Sequence, residues 1–176
     1  MEFLNDPIIV DQLPKAEEVT LKPIDRMYLT VLRIEWLISS LSGFLVVFLL
    51  IFFFRSLHNL FWIITIPSGW LILCGLFYLL QTKSFARKAF AVRQHDLIYR
   101  TGWIVQSIRT CPFNRIQHSS VSTGPLERKF GLAKLVLYSA GADDADVHIP
   151  GLKESEAYSL KEWVTKKITN EPPTGE

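Results

Sequence analysis

The sequence predicts an α+β membrane protein: a two-helix transmembrane hairpin, then a strongly bent antiparallel sheet or partly open barrel, capped by a C-terminal helix. Three observations carry this reading. Residues 37–54, LISSLSGFLVVFLLIFFF, and 60–80, LFWIITIPSGWLILCGLFYLL, hold no charged side chain. From residue 89 onward, long apolar runs give way to short β-type runs separated by turn residues. Near the end, Ala157, Leu160, Trp163, Val164 and Ile168 recur at helical spacing and make one apolar stripe.

At about 1.5 Å per residue, the two uncharged runs form helices of roughly 27–32 Å, the thickness of a bilayer's hydrocarbon core. Neither has the polar face of a soluble helix of that length. A chain of 176 residues has too little other protein to cover both. The link RSLHN, residues 55–59, is too short for a domain, so the helices form a hairpin whose flanks lie on one side. Lys15, Lys22, Arg26 and Arg33 precede it, Lys83, Arg87, Lys88, Arg93 and Arg100 follow it, and Arg55 alone marks the tip. Basic residues stay inside, so both termini are expected to be cytoplasmic. Trp36, Trp62 and Tyr78 fall near span ends, where aromatic rings favour the interface, whereas Trp70 is expected to pack inside. The first run starts too far in and is too long for a cleavable signal, so it reads as a retained anchor.

Small residues mark where membrane helices touch. Ser39 and Gly43 share a face of the first span, and Gly43 is expected against Gly75 of the second. Pro67 and Gly69 should kink the second helix. No ionisable residue lies within either run, so the usual signature of a transport path is missing.

The remaining organisation follows in order. Residues 1–35 form a cytoplasmic N-terminal segment, irregular up to Pro23, with a helix from Ile24 that runs into the span or lies at the interface. Residues 36–81 are the hairpin, 82–170 the sheet domain and 171–176 a polar tail. Lys83, Arg87 and Lys88 stand where anionic headgroups would attract them, although retention of topology explains them equally well. Strands are expected over 89–93, 97–101, 103–111, 114–123, 132–140 and 146–149. Gly124-Pro125 opens a helical turn over 126–130, which Gly131 ends as a left-handed cap. Pro150-Gly151 should break the sixth strand. In the last helix, Glu154 and Glu156 suit the N-terminal end of the dipole, and Lys166 and Lys167 the C-terminal end.

Chemistry is sparse. Nineteen Lys and Arg against 17 Asp and Glu give a net charge of +2, which does not indicate a nucleic-acid binder. There is no Gly-rich phosphate loop, nucleophile elbow or paired metal-ligand motif. His95, His118 and His148, with Asp143, Asp144 and Asp146, have no metal-site spacing. No catalytic residue, metal or cofactor is expected. Of the two cysteines, Cys74 lies in a span and Cys111 in the domain, so a disulfide is not expected. The most unusual polar cluster is Asn114, Arg115, Gln117 and His118. It reads as a partner or ligand contact, or as a turn and strand ends satisfying themselves. Arg128 and Lys129 beside Phe130 make a basic knob, either a contact or a solvated face.

The segments AVRQHDLIYRTGW, CPFNRIQHSSVSTGPLERKFGLAKLVLYSAG and HIPGL, followed by a closing helix, resemble the bacterial membrane-flanked domain, a bacterial pleckstrin-homology-like (PH-like) family. With two preceding spans, the chain is similar to its short YdbS-like members. The resemblance implies a bent sheet of about seven strands capped by a helix. It also implies a bacterial inner-membrane protein that acts as a binding or scaffold module. Its partners would be the lipid bilayer and, in a homo- or hetero-oligomer, a longer membrane protein with several copies of the domain. It implies no reaction. Some distant eukaryotic domains recognise lipid headgroups with basic residues in the first hairpin turn, where this chain has Gln94-His95-Asp96, so sensing of anionic headgroups does not transfer simply.

Overall fold

The computed structural model describes residues 19–54, 59–139 and 146–170. Arg55, residues 140–145 with Asp143 and Asp144, the polar tail and most of the N-terminal segment lie outside them. Two long helices form, α1 over Met27–Phe53 and α2 over Leu60–Phe85. Helix α1 runs without a break from before the span into it, as the first of the two expected arrangements has it. Helix α2 buries no residue, and α1 buries only Val31 and Leu32, before its apolar run. Leu41 is 72% exposed and Ile72 71%. Surfaces this apolar and uncovered need lipid as their solvent.

The helices meet along one seam. The Trp36 ring lies tilted against that of Tyr78 with centroids 5.1 Å apart, and its Nε1–H donates to the Cys74 carbonyl at 3.1 Å. The Ser40 hydroxyl donates to Cys74 Sγ at 3.2 Å, and Trp70 Nε1–H to the Ser40 carbonyl at 3.3 Å. Trp70 therefore packs inside, as expected. Gly43 does not meet Gly75. A Cβ on Gly43 would lie 2.1 Å from the Trp70 ring, whereas one on Gly75 would find nothing within 4 Å. The Trp36–Tyr78 and Ser40–Cys74 contacts set the register about one turn away from a Gly43–Gly75 pairing. The large indole, not a second glycine, fills the space that Gly43 leaves.

Among the described residues the sheet domain has seven strands, one more than the count from sequence. Strands β1 (Lys22–Pro23), β2 (Ala89–Val92), β3 (Asp96–Thr101) and β4 (Ser107–Pro112) form one antiparallel sheet in that order. Strands β5 (Ile116–Ser122), β6 (Leu132–Ser139) and β7 (Val147–Lys153) form a second. A 3₁₀ turn over Phe113–Arg115 joins the sheets, and they do not close into a barrel. The added strand is β1, which precedes the hairpin. Lys22 pairs with Phe90 and Pro23 with Ala89, so chain from before α1 and after α2 meets at one end of the hairpin. Lys22 also reaches Glu156 at 2.6 Å.

Alternation builds the core. Phe90, Leu97 and Tyr99 point inward from the first sheet, and Leu135, Leu137, Val147 and Ile149 from the second. Helix α4 (Glu154–Asn170) closes them with Ala157 and Val164, both fully buried, while Leu160 and Ile168 pack at the edge. Trp163, on the stripe expected to face the strands, is only partly covered. It stands edge-on to Phe113 with centroids 5.2 Å apart but remains 37% exposed.

Two strand boundaries also differ. Residues 103–106 form a loop instead of the start of a strand, because Gly102 turns the chain with φ +91. Strand β7 continues through Pro150-Gly151, with Gly151 at φ +68 and a register shift between Ala133 and Leu135 opposite. The glycine absorbs the irregularity as a bulge does.

Candidate functional site

The six polar residues singled out on the domain separate into two groups. Asn114 and Arg115 lie on the 3₁₀ turn, and Gln117 and His118 begin β5. All four are exposed. Pairing in β5 skips from Ile116 to His118, so Gln117 is the bulged residue. His118 stacks on its cross-strand partner Tyr138 at 4.3 Å. Arg115 borders a cleft of about 340 Å³ with Arg109, Cys111, Ser139 and Val147. Burial, with Asp146 nearby, pushes the Cys111 thiol up, so it stays protonated and weakly nucleophilic.

Arg128 and Lys129 sit on α3 (Pro125–Lys129), beyond the other end of β5. The four strand residues after His118, at about 3.3 Å each, put roughly 13 Å of β5 between the groups. Glu127, almost fully buried, accepts the Gly124 N–H at 2.8 Å and fixes the turn. Gly131, at φ +65, ends it and accepts the Glu154 N–H at 3.0 Å, tying the knob to α4. Helix α3 touches α1, so this knob lies at the hairpin end of the domain. The Asn114 group follows the far end of β4, away from the hairpin.

The basic stretch after α2 is held by aromatic rings. Lys83 Nζ lies 4.6 Å from the Trp103 ring, and Lys88 Nζ 5.5 Å from that of Tyr28. Partial burial lowers the Lys88 pKa. Arg87 is exposed, and its carbonyl accepts from Arg100 Nε at 3.4 Å. Sequence reasoning passed over Trp103, Ile104 and Val105 because such residues favour strands. The preceding glycine was the available signal.

A third feature is a groove of about 470 Å³ between the helices. Glu35, Trp36, Ser39, Ser40, Trp70, Leu73, Cys74, Phe77 and Gln81 line it. Of the three small residues expected to pack helix against helix, Ser39 borders this groove, Gly43 faces Trp70, and Gly75 has open space beside it.

A family model for the bacterial PH domain matches residues 31–168, from within α1 to the last turn of α4. The chain belongs to the bacterial PH domain family. The family match thus takes in the hairpin as well as the PH-like domain. The chain is 32% identical over 78 residues to the UPF0699 transmembrane protein YdbS of Bacillus subtilis (strain 168). That match covers 44% of this chain and 46% of the relative, so it spans about half of either. No solved structure matches. With two apolar helices and this relative, the bacterial PH domain here belongs to a bacterial membrane protein.

Proposed function

We propose that the protein is a non-enzymatic inner-membrane module. It presents its PH-like domain to the cytoplasm and assembles with another membrane protein through the hairpin. The observation that carries this reading is the groove between α1 and α2. Ser39 and Ser40 offer hydroxyls at membrane depth and Gln81 an amide at its edge, and small side chains let a third helix approach closely. A second copy, or a longer relative with several PH-like domains, is the occupant that this reading gives the groove. The exposed group Asn114, Arg115, Gln117 and His118, far from the hairpin, then meets the partner's own domain.

A photo-crosslinking residue at Ser39 tests it in native membranes, with Leu41, which is 72% exposed, as the lipid-facing control. Position 39 is expected to give a discrete protein adduct and position 41 lipid adducts alone. Lipid adducts alone from both positions would remove the reading.

A second reading is recognition of anionic headgroups, favoured by the placement of Arg128 and Lys129 at the same end of the domain as Lys83, Arg87 and Lys88. Near a charged leaflet each such residue contributes about 1 kcal/mol.

A further inference from the structure

The tip of the β3–β4 connection is the most exposed apolar segment of the PH-like domain among the described residues. Ile104 is 75% exposed and Val105 78%, and Trp103 beside them is 38% exposed. Three neighbouring apolar side chains on a loop are uncommon without something to cover them. The loop is also held in shape. Gly102 sits at φ +91, and a Cβ there would lie 1.9 Å from the Val105 carbonyl oxygen. The chain therefore folds back tightly and presents residues 103–105 as its tip.

The position of this tip says what covers it. Lys83 lies in the last turn of α2, three residues past the end of the uncharged run. At about 1.5 Å per residue, its Cα stands about 4.5 Å beyond the hydrocarbon edge, within the headgroup layer. Trp103 lies against the Lys83 ammonium, 4.6 Å from ring centroid to Nζ. The indole is thus at the depth where tryptophan concentrates in membrane proteins. Arg87 and Arg100 come together next to this exit, joined by the 3.4 Å hydrogen bond. Ile108, opposite Arg100 in the register, is 39% exposed. An apolar tip with cations beside it is the pattern of an element lying in an anionic interface.

We propose that residues 103–105 insert into the leaflet from which α2 emerges, as a third point of attachment beside the two helices. The occupant is the bilayer that holds the hairpin, at its boundary of headgroup and acyl chain. The loop then fixes the tilt of the PH-like domain. It keeps the β3–β4 end against the membrane and holds the Asn114 group away from it. Insertion is apolar in origin, so it persists when salt screens the surrounding charges. The proposal goes beyond assembly through the hairpin and does not depend on it.

The test uses the full chain in vesicles of phosphatidylethanolamine and phosphatidylglycerol. A nitroxide is placed at Ile104→Cys, Leu41→Cys or Glu162→Cys, with Cys74 and Cys111 replaced by alanine. Collision with a nickel chelate at position 104 is expected to be several-fold below that at 162, and collision with oxygen close to that at 41, at low and high salt alike. Nickel collision equal to that at 162 would overturn the proposal, since the tip would then lie in water. Shielding from both reagents would also overturn it, since a second copy would be covering the loop. Protection lost on adding salt would overturn it in favour of a charge-held contact. A photo-crosslinking residue at Ile104 in the chain with both cysteines gives an independent reading. Phospholipid adducts support insertion, and their absence contradicts it.

Discussion

Replacing Phe113 with alanine is expected to destabilise the PH-like domain by about 3–5 kcal/mol, the range for removing a fully buried aromatic ring. Phe113 is 1% exposed and lies where β4 hands the chain to β5, so its ring touches the core at the junction of the two sheets. It is also the surface that Trp163 meets edge-on, at 5.2 Å. Its N–H donates to the His95 carbonyl at 3.0 Å, a bond the alanine keeps, so the loss isolates the ring. Domains are stable by about 5–15 kcal/mol, so the variant should melt at much lower denaturant. Urea unfolding of the detergent-solubilised chain, followed by near-UV circular dichroism, measures this. The exposed neighbour Asn114→Ala should stay within about 0.5 kcal/mol of the parent. Equal effects from the two variants would mean that the sheets are not joined through this ring.

Gly151→Ala is expected to loosen the joint between the hairpin and the sheets. The residue sits at φ +68, and an added Cβ would lie 2.7 Å from Tyr28 Cβ and Cγ, close to the backbone of α1. Its carbonyl accepts the Asp25 N–H at 3.0 Å, so strain here reaches the segment that enters the membrane. Backbone strain of about 1–3 kcal/mol adds to a comparable cost of overpacking. Gly131 is the matched control. It has φ +65 but nothing within 4 Å of the added carbon, so Gly131→Ala carries the strain alone. Hydrogen exchange at the Asp25 amide should accelerate strongly in Gly151→Ala and little in Gly131→Ala. Equal protection in both would show that Tyr28 yields without cost.

How far the sequence reaches follows from which forces are local. Residues 37–54 and 60–80 declare their helices because absence of charge over a bilayer's thickness needs no knowledge of partners. The seam was harder. Gly43 lies close against the Trp70 ring, and spacing alone does not say that an indole fills that place. Strand β1 is two residues, Lys22-Pro23, and exists only because Phe90 and Ala89 lie beside it. Such a pairing, across the whole hairpin, leaves no periodicity to read. Residues 103–105 favour strand by type, and the turn at Gly102 outweighs that preference. The polar residues of the domain stand out by their chemistry alone. The length of β5 then separates Asn114, Arg115, Gln117 and His118 from Arg128 and Lys129, a distance that composition does not contain.

A hairpin that crosses a bilayer brings both of its flanks back to one side. Single cysteines at Thr20, Asn59 and Glu162, in a chain lacking Cys74 and Cys111, test this with a membrane-impermeant maleimide on intact spheroplasts. Asn59, at the start of α2, is expected to react at once, and Thr20 and Glu162 only after the membrane is broken. Reaction of all three in the same compartment would contradict the account.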